Sequence, residues 1–299
     1  MDSHDLTIGP LRLDHVDVFT DRPLAGNGIA VVTPWGPLAE TVMLGIAQEL
    51  RQFETIFLFD VADDAAEARI FTPEEELDFA GHPVLGAAAV LHARSPSDAD
   101  RHWWTIRVGG RPLSVTTVAR TRGIIEAEMD QGPATLSPPL SHDVALQFAT
   151  ALGLRSDQLR EDLPSQVVST GLPYLLLPVT AEGLAASQIT VTDLPSMLSE
   201  IGAAFVYVLD PDTPEGRTWD NRGGTEDVAT GSAAGPTAAY LISHGLRPAK
   251  KPFQVYQGRF VGRPSRIDVR HDTNGSIFVG GSVAPFSSGT IEMAAVGSR

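Results

Sequence analysis

Residues 11–20, Leu-Arg-Leu-Asp-His-Val-Asp-Val-Phe-Thr, alternate apolar and polar side chains with a period of two, the pattern of a half-buried strand. A turn-rich stretch from Pro23 to Gly28 follows, with a hairpin as the default reading of Gly26-Asn-Gly28, and Ile29–Thr33 predicts a second strand. Leu38, Val42, Leu44, Ile46, Ala47 and Leu50 recur at helical spacing. Strands are predicted at 55–59, 68–71, 104–108, 112–119 and 123–130, with a helix over 83–93 whose Pro83 sits in the first turn, where a missing N–H costs little. Gly132, Pro133, Pro138 and Pro139 break the pattern near 131–139. Beyond them the same kinds of element return. Helices are predicted near 141–152, 193–202 and 232–244, and strands near 166–170, 173–179, 204–209, 217–219, 253–257, 265–270, 276–283 and 289–293.

One segment occurs twice. Asp78-Phe-Ala-Gly-His-Pro-Val-Leu-Gly86 and Asp227-Val-Ala-Thr-Gly-Ser-Ala-Ala-Gly235 each lead into an alanine-rich helix, and 227 − 78, 229 − 80 and 235 − 86 all equal 149. An alanine-rich helix without a wide charged face is suited to being wrapped by sheet rather than lying on a surface. With few helices between many strands, the pattern predicts a duplicated α+β architecture in which antiparallel strands predominate. Helix starts surrounded by small residues expose backbone N–H groups to an anion. Two such starts, one per half, point to a ligand gripped between the halves.

Composition narrows the function classes. A formal net charge of −15 argues against nucleic acid and anionic membranes as partners. The chain has no cysteine, which removes disulfides, thiolate metal sites and thiol acid/base chemistry. No apolar run is long enough for a transmembrane helix, and Met1–Asp5 lacks the basic and apolar stretches of a signal peptide, so a cytoplasmic location is expected. The eight histidines show no metal-binding spacing, so no metal is expected.

The candidate chemistry is carried by few groups. Glu54 lies between a helix and an apolar strand, where partial burial makes a carboxyl able to take and return a proton near neutral pH; a surface glutamate without a role is the simpler alternative. His82 stands at a helix start and can donate to a substrate or pass a proton, or be satisfied by backbone. Asp227 precedes the second repeat helix, where capping is its plainer reading, and Glu226 beside it makes an acidic pair. Thr230-Gly231-Ser232 supplies hydroxyls and an unencumbered backbone suited to a carboxylate or phosphate.

Taken together and in order, Asp17-Val-Phe-Thr20, Gly26-Asn-Gly28, Glu54-Thr55, Arg69-Ile-Phe-Thr-Pro73, Phe79-Ala-Gly-His-Pro83 and Glu226-Asp-Val-Ala-Thr-Gly-Ser232 resemble the phenazine biosynthesis PhzF-like family, with the diaminopimelate epimerase fold. The resemblance covers about residues 11–293. It implies two pseudo-symmetric epimerase-like domains, each a barrel-like, mostly antiparallel sheet around a central helix, with the active site in the cleft between them. The domains are expected at 1–133 and 134–285, with a C-terminal strand at about 286–299 completing the first. It further implies a homodimer, a small carboxylic acid as substrate, and no cofactor. Carried over residue by residue, Glu54 matches the acid/base, His82 the helix-start histidine and Asp227 an aspartate that positions the substrate or shares its proton. Gly81, Gly231 and Ser232 match the positions that hold the substrate carboxylate.

Departures from the family pattern bear on the substrate. Phe53 stands where the family commonly has Ser, Gly28 replaces Pro in the GNP turn, Asp78 replaces the Pro before Phe79, and Val228 replaces Pro after the Glu-Asp pair. The reading that results is a cofactor-independent isomerase moving a proton and double bond in a small unsaturated acid of secondary metabolism. Dihydro-3-hydroxyanthranilate and a pyrroline-type carboxylate are alternative substrates. An inactive carboxylate-binding homologue and an epimerase with Asp227 as second base are the rival readings.

Overall fold

The computed structural model describes residues 9–96, 99–221 and 223–293; the Met1–Asp5 segment lies outside them. Two compact units divide the chain, one made of residues 1–24, 28–128 and 282–299, the other of 25–27 and 129–281.

In the first unit the order is β1 (Leu11–Val18), β2 (Asn27–Thr33), α1 (Glu40–Leu50), β3 (Thr55–Phe59), β4 (Ala65–Phe71), β5 (Glu76–Leu77), α2 (Gly81–Arg94), β6 (Arg101–Val108), β7 (Arg111–Ala119) and β8 (Ile125–Pro133). The sheet order is β1-β2-β3-β4-β6-β7-β8, and β1 also pairs with the chain's last strand. Every residue of α2 from Gly81 to His92 is buried, and the helix packs on β1, β3, β6 and β7, strands from both ends of that order. The sheet therefore curls around it. Gly86 permits this: a Cβ there would stand 2.6 Å from Ile29 Cγ2 and 3.3 Å from side-chain atoms of Val16 and Val18. On the outer face α1 seats Met43, Ile46 and Ala47 against Val32, Phe57 and Phe71.

The second unit contains β9 (Thr135–Leu136), α3 (His142–Ala151), β10 (Gln166–Ser169), β11 (Pro173–Pro178), α4 (Ala181–Ala186), α5 (Leu194–Glu200), β12 (Phe205–Asp210), β13 (Glu215–Arg217), α6 (Gly231–Ser243), β14 (Phe253–Gln257), β15 (Ser265–His271) and the start of β16 (Ser276–Ile291). Strands β11 and β12 are apolar at nearly every position because both faces are covered. Leu175, Leu177, Val206 and Val208 join the cluster that includes Phe148 of α3 and Leu198 of α5, whereas Tyr174, Leu176, Tyr207 and Leu209 pack with Ala233, Tyr240 and Leu241 of α6.

The duplication is visible in the pairing directions. In the first unit β2–β3 is parallel, β3–β4 antiparallel, β4–β6 parallel and β6–β7 antiparallel. In the second, β11–β12, β12–β13, β13–β14 and β14–β15 repeat that series. The starts of β12, β13 and α6 lie 150 residues after those of β3, β4 and α2 (205 − 55, 215 − 65, 231 − 81). This is the α+β arrangement of barrel-like sheet around a central helix.

Two sequence expectations are corrected. The predicted strands at 276–283 and 289–293 are one strand, β16, which continues through Pro285 because the register against β1 shifts between His15 and Val16 and accommodates Phe286 as an extra residue. Gly26-Asn-Gly28 is not a two-residue hairpin turn: Gly26 has a positive φ of 64°, and Asn27 and Gly28 already belong to β2.

Candidate active site

The first turn of α2 places His82 inside the barrel of the first unit, and Glu54 immediately precedes β3. Both are buried, with 6 % and 7 % of their surfaces exposed. Glu54 Oε2 lies 3.1 Å from His82 Nε2, a proton-transfer distance, although the contact is not aligned as a hydrogen bond. Such alignment commonly tightens only when substrate is bound. Burial pulls the imidazole down to about 3, only partly opposed by its hydrogen bond to the Gly28 backbone. His82 is therefore neutral at physiological pH, and its contact with Glu54 is not an ion pair.

The backbone of Gly28 is the pivot of this region. A Cβ on Gly28 would stand 3.2 Å from Gln52 Oε1, 3.2 Å from His15 Nε2 and 3.4 Å from Asp17 Oδ1, so three polar side chains converge on the residue that holds His82. His15 and Asp17 share a face of β1 because they are two residues apart. Asp17 is buried and accepts from the Leu24 N–H at 2.8 Å. The Phe53 side chain, by contrast, is 38 % exposed. The α2 start has no side-chain cap: Ala80 is its N-cap residue.

In the second unit, Asp227 anchors the loop before α6. Its Oδ1 accepts from Asn27 Nδ2 at 3.0 Å and its Oδ2 from the Thr230 hydroxyl. Burial raises its affinity for a proton, offset in part by the Thr230 hydroxyl, the Ala229 N–H, the Asn27 amide and the Val228 N–H. The capping reading fails, since Thr230 occupies the N-cap position and no side chain caps the helix. Thr230 is not available for a ligand either: its hydroxyl donates to Asp227 and accepts from Gln257 Nε2 at 3.0 Å. Gln257 also donates to the Asp227 carbonyl at 2.8 Å and accepts from the Thr230 N–H at 3.1 Å. Glu226 faces elsewhere, in a two-point pair with Arg217 at 2.9 and 2.6 Å, so the acidic pair is not a shared site.

The peptide after Gly231 has a fixed orientation. Gln131 Nε2 donates to the Gly231 carbonyl at 2.9 Å, and in a trans peptide this directs the Ser232 N–H the opposite way. The Ser232 hydroxyl is 2.7 Å from that of Tyr174. Gly235 leaves room for this arrangement, because a Cβ there would meet Gln131 Oε1 at 2.2 Å. The α6 start thus offers an oriented N–H and hydroxyl with no capping carboxylate in competition. Among the described residues, no group of three His, Asp or Glu side chains is placed to hold a metal ion.

Against known proteins, residues 16–289 match the family described as "Phenazine biosynthesis-like protein". The chain belongs to this family. It is 31% identical over 289 residues to the trans-2,3-dihydro-3-hydroxyanthranilate isomerase of Pseudomonas aeruginosa, covering 92% of this chain and 96% of that one. It is also 31% identical over 264 residues to the uncharacterized isomerase YddE of Escherichia coli K12, covering 85% and 88%. A solved structure described as a predicted epimerase from Pseudomonas aeruginosa superposes with a TM-score of 0.89 at 48% identity, covering 95% of this chain and 99% of that one. A probable proline racemase at 15% identity and TM-score 0.57 shares the fold.

Within this phenazine biosynthesis-like chain, the motif residues divide between the two units. The first unit brings Glu54, Gly81 and His82 to one helix start, and the second brings Asp227, Gly231 and Ser232 to the other. Sequence reasoning missed Gln131 and Gln257, which orient the second start, and His15 and Gln52, which crowd Gly28. The glutamines carry no motif signal. His15 was legible only as a polar position on an alternating strand.

Proposed function

We propose that the chain is an isomerase that shifts a proton and double bond in a small unsaturated carboxylic acid, with Glu54 as its single acid/base. The observation that carries this reading is the buried Glu54–His82 contact at 3.1 Å, with the imidazole held neutral. In the proposed reaction the Glu54 carboxylate takes a proton from carbon, the electron pair moves the double bond along the chain, and the resulting carboxylic acid returns the proton to the far carbon. No net proton is exchanged. Neutral His82 has a single ring N–H, which goes to the Gly28 carbonyl, so its Nε2 accepts a hydrogen bond from Glu54 once the carboxyl holds the proton, without adding charge. Gly81, Gly231 and Ser232 are assigned to the substrate carboxylate, whose charge suits uncapped helix N-termini, and Asp227 to positioning the substrate.

The duplication supports one base rather than two. The residue before β12 that corresponds to Glu54 before β3 is Ala204, and the 149-residue offset of the motif gives Ala203 instead. Neither carries a proton. Names of the relatives point the same way, since the Pseudomonas aeruginosa enzyme is an isomerase of a dihydro-hydroxyanthranilate. That acid heads the list of substrates to assay, followed by pyrroline carboxylates. The reading includes a cytoplasmic location, from the sequence, and a homodimer, carried by the family resemblance; light scattering at twice 31.8 kDa is the expected mass.

The test is kinetic. Glu54→Gln keeps the shape of the side chain and removes its basicity, and is expected to lower kcat by about 10²- to 10⁴-fold with an unchanged fold. Normal turnover in that variant would overturn the assignment.

A further inference from the structure

Gln257, the last residue of β14, belongs to no motif, yet its amide is fully engaged. Its Nε2 donates to the Asp227 carbonyl at 2.8 Å and to Thr230 Oγ1 at 3.0 Å. Its Oε1 accepts from the Thr230 N–H at 3.1 Å and from the Tyr207 hydroxyl at 3.2 Å. A main-chain carbonyl only accepts and a main-chain N–H only donates, so the amide has one orientation. Two glycines let these groups meet. A Cβ on Gly258, whose φ is 83°, would stand 2.6 Å from the Val228 carbonyl oxygen, and one on Gly216 would collide with the buried Tyr207 ring.

The orientation of that amide decides where the neighbouring hydrogens go. Thr230 Oγ1 receives one from Gln257, so its single hydroxyl hydrogen turns to Asp227 Oδ2. Asn27 is fixed in the same way: its Nδ2 donates to the Ala229 carbonyl at 3.0 Å, and so it is also the donor to Asp227 Oδ1 at 3.0 Å. The Val228 and Ala229 N–H groups complete the set around this carboxyl. Burial by itself favours a neutral Asp227. The neutral form, however, would set a hydrogen of its own against one of these donors, and a buried donor deprived of its acceptor is costly. Two other titratable side chains stand near. Burial first, and the Asp227 charge second, keep the Tyr207 phenol protonated. Glu226, the preceding residue, is paired with Arg217.

The duplication shows that a helix start of this kind forms without such a network. In the first copy the motif aspartate, Asp78, is exposed, and the N-cap residue is Ala80, which has no hydroxyl. We propose that Gln257 is a positioning residue: by fixing the Thr230 hydroxyl it keeps Asp227 ionised, so that Asp227 acts as a fixed negative charge and Glu54 is the one carboxyl that exchanges a proton with the substrate. The charge of Asp227 is independent of the reaction; its part in turnover rests on the isomerase reading.

The test follows the Asp227 carboxyl carbon in the full chain, ¹³C-labelled at aspartate and assigned by the signal lost in Asp227→Asn. In the parent, NMR is expected to show the ionised form at pH 7, a measurement that needs no variant to fold. Thr230→Val removes the hydroxyl and Gln257→Glu draws it away from Asp227. Each is expected to raise the titration midpoint by about one pH unit or more, the worth of a hydrogen bond to a charged group. Thr230→Ser is expected to keep the parent midpoint. A neutral Asp227 at pH 7 overturns the proposal, and so does a midpoint unmoved in both Thr230→Val and Gln257→Glu. With the acids named above as substrates, the acid limb of kcat/KM is expected to move up with the midpoint. A limb that stays in place while the midpoint moves would leave Gln257 a purely structural residue and also overturns the proposal. If the parent converts none of these acids, the isomerase reading fails, and the titration still decides the charge of Asp227.

Discussion

At the scale of single residues, His82 makes a prediction that does not depend on knowing the substrate. Burial holds it at about 3 in the folded chain, against an ordinary value of 6.5. Between those values the unfolded chain binds the extra proton, so the His82 contribution destabilises the fold progressively as pH falls from about 6.5 towards 3. His82→Asn, which cannot titrate, is expected to lose less stability than the parent between pH 6.5 and pH 4 in denaturant titrations. Parallel losses in the two proteins would contradict a buried neutral imidazole. Gln257 makes the second residue-scale prediction, since it joins Asp227, Thr230 and, through its Oε1, the Tyr207 hydroxyl at 3.2 Å. Gln257→Ala leaves these buried groups short of partners and is expected to cost about 1–3 kcal/mol of stability, measurable as a lower urea midpoint. Sequence alone gave this residue no weight, because a glutamine at the end of a strand is as ordinary on a surface as in a network.

At the scale of elements, the repeated segment has two functions that its sequence does not separate. Its first glycine-containing turn opens the helix; its later glycine serves packing. Gly86 is where α2 meets Ile29, Val16 and Val18, and Gly86→Ala is expected to destabilise the fold by about 1–3 kcal/mol through overpacking. Differential scanning calorimetry checks this; an unshifted melting temperature would mean that α2 can move away from β1 and β2 without cost. Most helices and strands were legible from their apolar positions: Thr55–Phe59 falls on a short apolar run and Phe253–Gln257 between flanking turns. The short elements β5, β9 and α4 were not, since two to six residues carry too little periodicity. Strand β16 was split at Ala284-Pro285-Phe286-Ser287-Ser288 because proline reads as a break, and only pairing with β1 shows that the chain passes through it as a bulge.

At the scale of the whole molecule, the duplication explains the fold more fully than the chemistry. Both units repeat the same series of strand pairings around a small-residue helix, and this was foreshadowed by the 149-residue offset of the motif. The proposed acid/base was not duplicated: Glu54 and its contact His82 occur in one unit, and alanines stand where a second glutamate would be. The candidate residues were legible because their motif order is specific to the family, whereas the glutamines that orient them act through geometry no local pattern encodes. The central claim is that one carboxyl removes a proton and returns it. It is tested most directly by converting a substrate deuterated at the reacting carbon in ordinary water and measuring label in the product by mass spectrometry. Partial retention of deuterium at the new position is the expected result, and loss on Glu54→Gln of the reaction that transfers it should accompany it. Complete replacement by solvent hydrogen with inverted configuration would contradict the account.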